Sequence, residues 1–150
     1  MKSFLSKYNF KLVGSIQRAS DRLVFKSECE HTAEPTIYCW VLSEKRGHQF
    51  SPVAVLYAGK AGFGLKKRMS QHLGGFTHST SGKKNSDHLE NWIRKKYAIH
   101  VYKRIPENYM VFEKAMNGIS IEEEFFIQAI KSNQCHKENG VLNRERYHEK

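Results

Sequence analysis

Long apolar runs are missing from this 150-residue chain. None approaches the ~20 residues that a membrane-spanning helix requires, so no membrane partner is expected. Cysteine is scarce and poorly spaced. Cys29, Cys39 and Cys135 are odd in number, far apart and in no Cys-x-x-Cys pair, which argues against a disulfide framework and a zinc ribbon. His31 near Cys29 and His136 beside Cys135 do not have the spacing of a four-ligand structural site either. Acids are few: 15 Asp and Glu stand against 25 Lys and Arg, a formal net charge of +10. That excess points to a polyanion, and nucleic acid leads, because the chain shows neither a basic amphipathic helix nor a lipid anchor suited to an anionic membrane surface. Met1-Lys2-Ser3-Phe4-Leu5 runs into polar sequence instead of a signal-peptide core, so a cytoplasmic protein is the expectation. The length suits one domain with a core of its own.

What is present centres on residues 53–72. An uncharged run, Val53-Ala54-Val55-Leu56-Tyr57, follows Pro52 and reads as a strand. Gly59, Gly62 and Gly64 punctuate a turn, and Leu65, Met69 and Leu73 then recur at a spacing of four, which stacks them on one helix face. Arg68 and His72 share that spacing one face away. The glycines do not form a P-loop, since no Gly-Lys-Ser/Thr closes them, and their order of three and two is not the dinucleotide order. Taken alone, the stretch is an ordinary turn leading into a solvated basic helix. Upstream, Thr36–Leu42 reads as a second strand, and the polar loop after it, which includes Gly47, makes the two a hairpin.

Elsewhere the pattern is plainer. Residues 10–14 and 23–26 read as short strands of an N-terminal accessory segment, residues 1–34, that covers a sheet edge. Residues 74–86 lack periodicity and concentrate turn-forming and basic residues, which predicts a surface loop. Ser86 or Asp87 is expected to cap a helix carrying Leu89, Trp92 and Ile93, with Arg94-Lys95-Lys96 in its last turn. Ile99–Ile105 reads as a strand whose His100, Tyr102 and Arg104 share one face, a basic-aromatic stripe suited to a phosphate backbone or simply to solvent. Residues 107–118 are a connection or short helix. Ser120 is expected to cap a helix to Lys131, with Glu123 at the capping-box position and Ile121, Phe125, Phe126, Ala129 and Ile130 on its apolar face. Its first turn holds Glu122, Glu123 and Glu124, which helix-dipole compensation alone would explain.

Thr36-Ile37-Tyr38 followed by Tyr57-Ala58-Gly59, with Arg68 and His72 four residues apart and a glutamate on a late helix, resembles the GIY-YIG nuclease family. The likeness spans roughly residues 35–145, with the nuclease-like domain at 35–150. Thr36 stands where the family has glycine, and Ala58 where it has isoleucine, but both tyrosines are in place. The resemblance implies an α+β fold, a small antiparallel or mixed sheet flanked by helices. It also implies a metal-dependent endonuclease acting on DNA, of restriction, mobile-element or phage type, with Mg²⁺ or Mn²⁺ as cofactor. By the same likeness Tyr38 is the general base, Tyr57 and His72 support it through hydrogen bonds, and Arg68 binds the scissile phosphate. Glu123 holds the metal, with Glu122 kept as an alternative because helical angle sets it nearer the apolar face. Lys60, Lys66 and Lys67 are candidate substrate contacts. Asn143 matches a family asparagine, and His88 or His78 a family histidine. Lys60 and Arg68, close in sequence to Tyr57, are the cations expected to lower a tyrosine pKa. Double-strand cutting from one site would favour a homodimer on DNA. The alternative is a nucleic-acid-binding module that keeps the fold without turnover.

Overall fold

In the computed structural model, which describes residues 1–30, 33–75 and 80–133, the chain forms a five-stranded sheet between two layers of helix and a small separate hairpin. The sheet comprises β1 (Lys11–Ala19), β2 (Arg22–Ser27), β3 (Thr36–Arg46), β4 (Gln49–Ala61) and β5 (Ala98–Arg104), in the order β2-β1-β5-β3-β4. Every pairing is antiparallel. The fold is therefore α+β with an antiparallel sheet, and of the two sheet types expected the mixed one is not realised. The short strands at the N-terminus pair with β5 and continue the same sheet, leaving β2 and β4 as its edges.

Period-two alternation divides the core between the two faces. Tyr38, Trp40 and Leu42 pack with Leu65, Met69 and Leu89 beneath α2 (Leu65–Gly75) and α3 (Thr80–Arg94). Ile37, Cys39 and Val41 face the other way, against Leu5 of α1 (Lys2–Lys7) and Phe126 and Ile130 of α4 (Ile119–Ser132). β3 is buried on both sides, which is why it reads as an unbroken apolar run. Both strands of the β3–β4 hairpin outrun the expected segments: β4 continues through Gly59 to Ala61, so the glycine turn shrinks to residues 62–64.

Three expectations about local structure are overturned. The loop assigned to residues 74–86 is helical from Thr80, so neither Ser86 nor Asp87 caps α3; only 76–79 fall outside the described backbone. Its polar residues made it look like a loop, whereas Leu89, Trp92 and Ile93 anchor the helix further along. Residues 107–118 form neither helix nor plain connection but the hairpin β6 (Asn108–Val111) and β7 (Lys114–Asn117). Its two-residue turn puts Phe112 and Glu113 at positive φ, the primed geometry that right-handed strand twist favours, without the Asn-Gly or Asp-Gly that usually announces it. Third, α4 begins at Ile119. Gly118 is its N-cap residue, and the Ile119 N–H donates to Asn117 Oδ1 at 3.0 Å, so Ser120 does not cap it. The apolar stripe is rotated as well, because Ile121 (58% exposed) and Phe125 (67% exposed) face outward while Phe126 and Ile130 are buried.

Candidate active site

Pairing of β3 with β4 brings the tyrosines together. Trp40 lies opposite Tyr57 and Tyr38 opposite Gly59, so all four positions share the face under α2. The Tyr38 and Tyr57 rings are 6.0 Å apart, Trp40 lies 4.6 Å from Tyr57, and His72 meets Tyr57 edge-on at 5.4 Å. Gly59 is required by this closeness. A Cβ there would come within 2.8 Å of Tyr38 Oη and 2.9 Å of a Tyr57 ring carbon. Gly59→Ala is therefore expected to displace both rings and to cost about 1–3 kcal/mol of stability, read by denaturant unfolding.

The Tyr38 hydroxyl is hydrogen-bonded to His72 Nε2 and also engages the side chains of Arg68 and Tyr57. Burial pushes the His72 pKa down to about 4, with the Arg68 charge adding to it, so the imidazole is neutral at pH 7 and can accept the Tyr38 proton in a hydrogen bond. Burial and Tyr57 hold the Tyr38 pKa well above its usual value, outweighing Arg68. The expected lowering of a tyrosine pKa by Lys60 and Arg68 is thus reversed at Tyr38: Arg68 is in place but desolvation dominates, and Lys60 is engaged by Ser120 and Glu123.

Because His72 titrates lower in the folded chain than when unfolded, its contribution to stability is complete above pH 6.5 and is lost as pH falls toward 4. The loss of stability between pH 7 and pH 4 should be smaller by about 3 kcal/mol in His72→Gln than in the unaltered chain, measured by urea unfolding at each pH.

Arg68 and His72 sit on the flank of α2 that faces these rings. The guanidinium also donates from Nη1 to Gln71 at 3.4 Å, while its buried Nε has no hydrogen-bond partner. A half-buried guanidinium beside tyrosine hydroxyls is suited to an anion.

Glu123 and Lys60 form a second group. Lys60 follows Gly59 but, by alternation, faces the α4 side, where its ammonium lies 3.2 Å from Glu123 Oε2 and donates to Ser120 Oγ at 2.9 Å. Glu123 is 5% exposed and meets the sheet at Lys60 of β4; Glu122 does not meet that lysine. Instead Glu122 pairs with Arg104 at 2.9 Å and accepts hydrogen bonds from the Glu107 N–H and Tyr109 Oη. Both carboxylates therefore reach the sheet, Glu123 on the buried face of α4 with Phe126 and Ile130 and Glu122 at β5 through Arg104, and Glu122 stays the alternative ligand. Arg104 is used in the same network and donates to the Tyr8 carbonyl, and Tyr102 packs against the lower core, so the expected stripe on β5 is not an open phosphate track.

Among the described residues no three His, Cys, Asp or Glu side chains gather into a metal cage. The donor set still fits one mode of binding: a hard divalent cation held by a single carboxylate, with water and phosphate oxygens completing its shell.

The remaining sequence candidates scatter. Lys66 and Lys67 are exposed on the first turn of α2, with Lys67 Nζ 5.2 Å from the centre of the Phe63 ring. His88 lies within α3, not at its start, and accepts a hydrogen bond from Trp92 Nε1 at 3.1 Å. His78 and Asn143 lie outside the described residues. Sequence reasoning missed Trp40, whose place two residues after Tyr38 on a strand was the available signal, and Ser120, which it read as a cap.

These placements can be set beside known proteins. The fold is similar to that of bacteriophage T4 EndoII. The two chains are 15% identical and superpose with a TM-score of 0.63 over 87% of this chain and 94% of EndoII, which was solved as a Glu-to-Ala mutant. No protein-family model and no curated protein sequence matches the chain. Among the described residues no helix is long and apolar enough to cross a membrane.

Proposed function

We propose that the chain is a metal-dependent endonuclease of GIY-YIG type that hydrolyses phosphodiester bonds in DNA. The observation that carries this reading is the convergence of Tyr38, Tyr57, Arg68 and His72, four residues singled out by motif, on one face of a fold shared with EndoII. Arg68 takes the scissile phosphate through its guanidinium, which Tyr38 and Tyr57 hold in place. Tyr38 receives the proton of the attacking water while passing its own to His72 Nε2, so that no buried phenolate has to form. Phosphate bound at Arg68 offsets the charge that helps to keep His72 neutral, which makes the imidazole a better acceptor at the moment it is needed. Tyr57, half-buried beside both, is placed to orient the water or a phosphate oxygen. Glu123 would hold Mg²⁺ or Mn²⁺, and a bound ion supplies charge relief at the phosphate and the leaving oxygen. Lys60, which pairs with Glu123 and Ser120, would supply a cation to a phosphate beside that carboxylate.

Incubating supercoiled plasmid with the protein in Mg²⁺ or in EDTA tests the proposal. Nicked or linear product that disappears with chelator is the expected result. A salt-sensitive mobility shift with no cleavage in Mg²⁺ would instead favour the non-catalytic binding module.

A further inference from the structure

A groove of about 750 Å³ runs between edge strand β2 and α2, away from the tyrosine cluster. Leu23, Phe25, Met69 and Leu73 line it as apolar walls, while the exposed Arg22 and Lys66 add positive charge against a single acid, Glu30. Its relation to Arg68 follows from helix geometry. Successive residues on a helix project about 100° apart, so Lys66, Lys67 and Arg68 fan around α2 over about 200°. Lys66, together with Ser70 and Leu73 on the same flank, looks into the groove; Lys67 is on the exposed ridge; Arg68 looks into the tyrosine cluster. Three consecutive cations thus lead from the groove, over the helix, to the site. Phe63, 79% exposed, lies beneath Lys67 along this path.

A negatively charged strand can follow that band, and the groove beyond it is lined by a half-buried aromatic ring and apolar walls with cations beside them. Stacked, paired bases in a duplex cannot turn their faces to such walls, whereas single-stranded nucleic acid combines both needs. We propose that the β2–α2 groove binds a single-stranded segment adjoining the phosphate held at Arg68, with bases against Phe25 and Leu73 and phosphates on Arg22 and Lys66. This deepens the nuclease reading and rests on it. It also implies a preference for substrates that are frayed, tailed or gapped next to the cut.

Equilibrium binding in EDTA separates the groove from catalysis. The probes are a blunt DNA duplex and the same duplex with an oligothymidine tail. The tail is expected to tighten binding about tenfold, as one well-stacked base would, and to steepen the salt dependence. Phe25→Leu keeps an apolar side chain without the ring face, and Arg22→Glu reverses an exposed charge; each should cut the tail's advantage to about twofold or less. A tail advantage that is absent in the unaltered protein, or unchanged in both variants, overturns the proposal. So does a self-association, seen by sedimentation, that Arg22→Glu abolishes without touching the tail effect, because the groove would then be a protein interface. A tail advantage that persists in a protein unable to cut plasmid in Mg²⁺ upholds the groove and removes only the nuclease reading.

Discussion

Arg68→Ala is expected to lower the single-turnover cleavage rate by about 10²–10³-fold, the usual cost of removing one preorganised donor from a developing charge. Affinity for DNA, measured in Ca²⁺ at fixed salt, should change little, because it is spread over many cations. The structure explains the asymmetry. Arg68 is half-buried and held by Tyr38 and Tyr57, so on the proposed reading it would enter the reaction already oriented. Its interactions strengthen as charge accumulates on the phosphorane oxygens, which raises rate rather than binding. Arg68→Lys retains the charge but not the planar fork, and should be slow as well. Equal losses of rate and affinity, or neither, would make Arg68 a surface contact or a bystander.

The second large effect separates two adjacent glutamates. Glu123→Gln should abolish cleavage in Mg²⁺ while the fold and most of the DNA affinity survive, since the change is isosteric and Lys60 keeps Ser120 as a partner. Glu122→Gln should do the reverse. It leaves Arg104 a buried cation without its counter-charge, at a cost of about 3 kcal/mol in unfolding free energy, yet the folded variant still cuts. Thermal unfolding and plasmid cleavage, run on both variants, give the answer directly. If Glu122→Gln stops cleavage at full stability and Glu123→Gln does not, Glu122 is the ligand; if neither matters, the metal-nuclease reading falls.

How much of this could be read from the residues varied with the range of the interaction that decides it. β3, β4 and α2 were legible because their signals are local: apolar runs, glycine punctuation and a spacing of four. Tyr38, Tyr57, Arg68 and His72 were singled out by the resemblance of their motifs, since local order alone gave only a turn and a solvated helix, and the fold brings them to one face. The orientation of α4 was not legible. Ile121 and Phe125 are as apolar as Phe126 and Ile130, and only the partners across the chain, Lys60 for Glu123 and Arg104 for Glu122, fix which side is buried. The β6–β7 hairpin was hidden for a different reason, as its turn uses Phe112 and Glu113 where positive φ usually selects glycine or asparagine. The electrostatics of Tyr38 were the least accessible, because proximity to cations in sequence says nothing about desolvation, and desolvation dominates.

The base of that hairpin carries a consequence for how the chain can change length. The Gly118 N–H donates to the Glu107 carbonyl at 2.8 Å, and a Cβ on Gly118 would come within 2.2 Å of the Tyr109 ring, so the two strands are clamped where they leave the body. Residues can be added or removed in pairs around Phe112 and Glu113 without moving anything below the clamp. A single insertion between Gly118 and Glu122 has no such freedom: it would turn the rest of α4 by about 100° and bring Glu122 toward Lys60 in place of Glu123. Related chains are accordingly expected to vary in hairpin length by even steps and to hold the segment from Gly118 to Glu123 free of gaps.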